Sequence, residues 1–248
     1  MSYKYAHIIG IAWMLSLSAC QDVLGDLYDK PIEDDVAVKE GQLYVNASSW
    51  TDWYYIDLKA TTDGFVRKAI PTEKLENTES SEHAPGIYTY WYDVFGAGLS
   101  NHEFRSFTPT APQSDPASWH IAVHRNNVRT NGGAAYETTY TSLDALPESS
   151  EAFKDETFTP DAWNETDVWT VQGQMLNGLI GNQGIDVNPV LSRWLNVSIP
   201  PLPPAFTLNN HVFIVRFSDG THAAIQLENY LSTTGTKCCL TINYKYPY

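Results

Sequence analysis

The sequence predicts an all-β domain built from many short, mostly antiparallel strands, and three observations carry that reading. Aromatic residues make up 13% of the 248-residue chain and sit among many Thr and Asn, the residue types that suit a pleated, half-buried surface. Apolar and polar residues alternate over short runs, which is the period of a strand and not of a helix. Gly, Pro, Asn and Asp then punctuate those runs. With 43% hydrophobic and only 18% charged residues the chain can bury a core, so a disordered or coiled-coil protein is excluded.

The first residues read as an address. Lys4 precedes an apolar stretch from His7 to Leu17 that is short for a bilayer span, and Leu17-Ser18-Ala19-Cys20 follows. That ending resembles the bacterial lipobox. Residues 1–19 are therefore expected to be a lipoprotein signal peptide, with Cys20 the site of lipid attachment; an ordinary signal peptide with an incidental Cys is the alternative. Acyl chains hold a protein to a membrane through roughly 0.8 kcal/mol per buried methylene, so several chains make attachment effectively permanent. Residues 20–40 continue as an acidic tether: Asp22, Asp26, Asp29, Glu33, Asp34, Asp35 and Glu40 face only Lys30 and Lys39.

One β domain is expected over 41–248. Residues 42–46 and 53–58 read as its first strands, joined as a hairpin, and 87–94 and 118–125 as the next. Between these last two, Gly96, Gly98, Pro109, Pro112 and Pro116 suggest an ordered surface loop. Asn131-Gly132-Gly133 turns the chain into a strand over 135–140. Residues 211–217, 223–230 and 239–246 form a terminal meander, whose first turn is Ser218-Asp219-Gly220. Phe213, Val215 and Phe217 share one face, as do Ile225 and Leu227, which gives the meander an apolar side. Cys238 and Cys239 are adjacent, so an ordinary disulfide between them is geometrically poor; free thiols or a strained vicinal bridge remain.

Charge and motifs narrow the function. A formal net charge of -14 with no local basic stripe argues against nucleic acid. Gly-x-Ser-x-Gly and phosphate-binding glycine loops are absent, so no catalytic residue is assigned and the chain reads as a binder, not an enzyme. His120 and His124 are four apart, but they lie on an expected strand without the Glu that a helical zinc pair carries; structural hydrogen bonds from one shared face are the expectation. The aromatic groups Trp50/Trp53/Tyr54/Tyr55 and Tyr88/Tyr90/Trp91/Tyr92 either fill a β core or form a surface that stacks on sugar rings.

The run from Trp119 to Ala135, with His120-Ile121-Ala122-Val123-His124-Arg125 leading into Thr130-Asn131-Gly132-Gly133, resembles the signature of the HmuY-like haem-binding lipoproteins. Residues 50–55 upstream, with 212–220 and 224–230 downstream, extend the likeness over essentially the whole mature chain. The resemblance implies a single HmuY-like β domain, lipid-anchored at the outer membrane, on the cell surface or released in vesicles. It further implies capture of haem, free or from a haem-carrying protein, and delivery to a TonB-dependent outer-membrane receptor.

The resemblance also implies a site. In that family, iron ligands come from two loops between the Asn-Gly-Gly strand and the terminal meander. Here the first loop, 171–178, holds Met175, the one Met left in the mature chain. The second, 197–206, places Ile199 at the matching position, where no donor atom exists. Met175 is thus the candidate axial ligand, with a gap-filling Met as the alternative, and no metal beyond haem iron is expected. Arg193, before the second loop, is expected to offset the chain's acidity toward haem propionates. Because Ile199 cannot coordinate, the rival reading is a non-haem ligand-, glycan- or protein-binding lipoprotein on the same scaffold.

Overall fold

The computed structural model describes residues 36–49, 52–67, 69–71, 75–79, 87–91, 100, 102–109, 115–164, 169–171, 180–183, 185–198 and 205–248. Ala37–Tyr248 form one compact unit. Strands are numbered β1 to β19 in chain order, and every strand ladder among the described residues is antiparallel.

The terminal meander seeds a six-stranded sheet. Its order is β1 (Gln42–Asn46), β19 (Lys237–Lys245), β18 (His222–Leu231), β17 (Phe213–Arg216), β9 (Ala134–Glu137) and β10 (Thr159–Pro160). Phe213 pairs with Ile225 and Leu43 with Ile242, so apolar residues meet across the ladders. The opposite layer is a four-stranded sheet of β3 (Ala69–Pro71), β2 (Asp52–Ile56), β7 (Ile121–His124) and β8 (Asn127–Thr130). Ile56, Ile121, Val123 and Val128 from this sheet join Leu43, Phe213, Val215, Phe217, Ile225 and Leu227 from the first in one buried cluster, which makes the pair a sandwich. Alternation fills the outer faces too. Val212, Ile214 and Ala224 point the other way and are covered by Leu146, which caps the 3-10 turn Leu143–Ala145, and by Phe153 of the 3-10 turn Ser150–Phe153.

A five-stranded sheet runs β12 (Trp169–Val171), β13 (Ile180–Gln183), β5 (Ile87–Trp91), β6 (His102–Pro109) and β4 (Leu75–Glu79). Two two-stranded sheets complete the domain, β11 (Ala162–Asn164) with β14 (Ile185–Val187), and the hairpin of β15 (Leu195–Ser198) with β16 (Ala205–Leu208). No helix among the described residues is long and apolar enough to cross a membrane.

Two sequence expectations change. The first two strands do not form a hairpin: β1 pairs with β19 and β2 with β3 and β7, so the chain crosses the core between them. Gln42 to Val45 are buried throughout, and a strand covered on both faces takes its partners from the sheet interior. The outer edge of β1 is closed by residues 64–66, with Tyr44 N–H donating to the Gly64 carbonyl at 2.7 Å. Second, the expected surface loop contains β6, an eight-residue strand paired on both sides. Pro109 is its last residue, where a missing N–H costs the ladder little.

Candidate functional site

The signature segment is a structural brace. Thr130 Oγ1 accepts the Gly133 N–H at 3.0 Å and donates to Asp161 Oδ1 at 2.9 Å, while the Thr130 N–H donates to Asp161 Oδ2 at 2.7 Å. Asn131 Nδ2 donates to the Trp119 carbonyl, which closes the turn on the strand that precedes it. Gly132 takes φ +67°, and a Cβ on Gly133 would sit 2.6 Å from the Arg216 carbonyl oxygen, so both glycines are required by geometry. Burial pushes the Asp161 carboxyl up, against the hydrogen bonds from Thr130 and Asn188 that favour its charged form.

The brace continues toward the second loop. Asn188 Nδ2 donates to Asp161 Oδ1 at 3.0 Å, and its Oδ1 accepts from the N–H groups of Val190 and Leu191. Those bonds start the 3-10 turn Leu191–Trp194, which runs directly into β15. Trp194 is fully buried and donates its indole N–H to the Asn126 carbonyl at 2.9 Å. A chain of contacts thus ties the Thr-Asn-Gly-Gly turn to the base of hairpin β15–β16.

Each implied ligand loop is borne by an antiparallel pair. Residues 172–179 join β12 to β13, with Val171 opposite Gly181, and residues 199–204 join β15 to β16, with Ser198 opposite Ala205. Met175 and Ile199 lie outside the described residues, as does Cys20. The second loop is shorter than expected, because Val197, Ser198, Ala205 and Phe206 belong to its strands. Arg193 does not stand free for an anion: its guanidinium donates to Glu137 Oε2 from Nη2 at 2.8 Å and from Nε at 3.2 Å. Glu137 Oε1 accepts from Asn209 Nδ2 at 2.8 Å and pairs with His211 Nδ1 at 2.9 Å. Burial would raise the Glu137 carboxyl, but hydrogen bonds from Asn209, Arg193 and His211 outweigh it and hold the group below its ordinary range.

The histidines hold structure. His120 Nδ1 accepts the Leu58 N–H at 3.2 Å, and Nε2 faces the Tyr246 hydroxyl at 3.2 Å. Its ring packs edge-on against Phe217 and Tyr246, whereas His124 packs on Trp53. They do not share a face as the strand rule suggested, because β7 starts only at Ile121. Among the described residues no group of three His, Cys, Asp or Glu could hold a metal.

The aromatic group around Trp53 is core. Trp53, Tyr55 and Trp119 are buried, and the Arg129 guanidinium lies 4.5 Å, 5.5 Å and 5.5 Å from their respective ring centres. Arg129 also donates to the Tyr55 hydroxyl and, at 2.8 Å, to Asp115; the Tyr55 hydroxyl donates to the same carboxylate at 2.5 Å. Burial, reinforced by the Asp115 hydrogen bond, pushes the Tyr55 phenol up to about 12. These rings are therefore unavailable for sugar stacking; Trp50 and Tyr92 lie outside the described residues. Sequence reasoning passed over Glu137, Asp161, Asn188 and Arg129, whose partners are all distant along the chain or carry no local pattern.

The two-layer antiparallel sandwich with its loop-bearing hairpins defines an all-β single-domain scaffold. Residues 49–244 match the HmuY protein family, and the chain belongs to that family. Among solved structures, it is similar to a protein from Bacteroides vulgatus described as HmuY-like and heme binding, at 29% identity and TM-score 0.55, covering 84% of this chain and 91% of that one. A lipoprotein from Bacteroides fragilis is 30% identical with TM-score 0.56, over 84% and 89% of the two chains. Apo PinO from Porphyromonas gingivitis shares the fold at 23% identity and TM-score 0.60, over 85% and 97%. No curated protein matches the chain.

Proposed function

We propose that this chain is a surface-anchored, haem-binding lipoprotein of haem and iron acquisition whose site has a single protein-derived axial donor. The observation that carries the reading is family membership over residues 49–244, a span that includes both loop-bearing hairpins. The Bacteroides vulgatus relative, described as heme binding, and the Bacteroides fragilis relative, described as a lipoprotein, support it.

Haem, when bound, supplies an iron with axial positions for protein donors. Within the connections 172–179 and 199–204 Met175 is the one residue of the types that ordinarily hold haem iron, His, Cys, Met and Tyr, and Ile199 with its neighbours Pro200, Pro201, Leu202, Pro203 and Pro204 has no donor atom. Thioether sulfur is soft and favours the lower oxidation state, so ferrous haem is the preferred form. Cys20 carries the lipid, the acidic segment to Glu40 spaces the domain from the membrane, and the delivery partner is a TonB-dependent outer-membrane receptor.

A spectroscopic haem titration of the mature protein, ferric and dithionite-reduced, tests the reading. A saturable Soret change, larger after reduction, is expected; no change in either state refutes haem binding and favours a non-haem ligand. Labelling with a fatty-acid analogue tests the anchor, with wild type labelled and Cys20→Ala unlabelled; an unlabelled, soluble wild type refutes it.

A further inference from the structure

Hairpin β15–β16 forms a sheet of its own: among the described residues its strands pair only with each other. A lone two-stranded hairpin is marginal in water, and no ladder sets its direction. Apolar contacts anchor it. Trp194 and Leu195 are fully buried at its entry, and Phe206 stacks on Tyr230 with ring centres 5.7 Å apart and planes 7° from parallel. Such contacts resist withdrawal but are non-directional, so they leave the angle of the hairpin loosely specified.

The bond from the Trp194 indole N–H to the Asn126 carbonyl and Lys237 Nζ, 4.4 Å from the Phe206 ring centre, each hold one end of the hairpin, whereas the side-chain bonds that reach both ends meet on one carboxylate from β9. At the entry, Glu137 Oε2 receives Arg193; at the exit, Oε1 receives Asn209 and His211. The Asn209 N–H donates to the Trp194 carbonyl at 2.9 Å and closes the ring of contacts at the base. Each oxygen thus holds one end of the hairpin, with charge-assisted bonds that are shorter and about twice as strong as neutral ones. No other side chain among the hydrogen bonds at this base touches both ends.

We propose that Glu137 is the positioning residue of hairpin β15–β16, fixing the direction in which its two strands leave the body of the domain. The consequence for ligand binding rests on the haem-site reading of that hairpin; the mechanical part does not. Arg193, Asn209 and His211 keep the carboxylate ionised at neutral pH, so the clamp is closed under ordinary conditions.

Hydrogen exchange of the mature chain at pH 7, resolved by segment, is the test. Glu137→Ala should speed exchange of the amides in β15 and β16 by about tenfold or more while β18 and β19 are unchanged, because local opening is set by local contacts. Glu137→Gln keeps an acceptor for Asn209 and His211 but loses the charge, and should fall between wild type and Glu137→Ala. Unchanged hairpin exchange in Glu137→Ala, or equal acceleration in every sheet, overturns the proposal. Haem titration of the same variants separates the two claims. If wild type binds no haem, the site reading fails while exchange still decides the role of Glu137. If the hairpin loosens and haem affinity stays the same, the hairpin does not serve the site.

Discussion

His120 Nδ1 accepts the backbone N–H of Leu58 at 3.2 Å, which places the imidazole proton on Nε2 and makes the neutral ring the structural form. Asp57 Oδ1 lies 3.3 Å from the same nitrogen, yet burial outweighs its attraction and lowers the imidazole pKa. His222 is also lowered, by burial and by Arg216. For a depressed His the unfolded chain binds more protons, so stability is full above the unfolded value near 6.5 and is lost as pH falls below it. Urea unfolding at pH 7 and pH 5 should show lower stability at pH 5, and His120→Gln should reduce that difference. An equal loss of stability from pH 7 to pH 5 in wild type and variant would remove His120 from the effect.

Gly133 is closed to any side chain by backbone. A Cβ there meets the Arg216 carbonyl oxygen at 2.6 Å, which is backbone and not the tip of a flexible side chain. Gly133→Ala should cost about 2–4 kcal/mol, through displacement of β9 from β17. Gly220, with φ +83° and nothing within 4 Å of the added atom, provides the contrast. Gly220→Ala should cost only about 1 kcal/mol of backbone strain. Thermal unfolding of the two variants measures the gap.

Cys238 and Cys239 are buried and form no disulfide, and burial raises the Cys238 thiol, which favours its protonated, less reactive form at neutral pH. In a Cys20→Ala background a thiol reagent should find no reactive group in the native protein and two after denaturation. Reaction of either thiol in the native state would contradict the buried placement.

The donor count in the ligand connections gives a fourth expectation. Met175→Ala should abolish the reduced-state Soret change without altering the far-ultraviolet circular dichroism. Ile199→Met or Ile199→His, by supplying a second donor, should tighten haem binding by about tenfold, roughly 1.4 kcal/mol. Identical titrations for wild type and Met175→Ala would take Met175 out of the site.

Much of the fold is legible in the sequence. The run 42–46 is β1 to the residue, and the terminal meander appears as β17, β18 and β19, because long alternating runs bounded by Asp-Gly or Thr-Gly turns have few other ways to bury their apolar side. Strands β3, β10, β11 and β14 have two or three residues each, too few for any period to show. β6 was hidden by the proline at its end and the glycines before it.

The residues themselves determined the strand period, the apolar face of Phe213, Val215 and Phe217, and the place of the Asn131-Gly132-Gly133 turn. These are properties of local backbone geometry and of side-chain chemistry, which neighbouring residues specify. Pairing was decided only in three dimensions. Which sheet receives β1, which face His120 takes, and the meeting of Glu137 with residues 56, 72 and 74 positions away depend on contacts between distant segments. A carboxylate on a strand looks the same in sequence whether it faces water or holds both ends of a hairpin, because only packing brings its partners within hydrogen-bond reach.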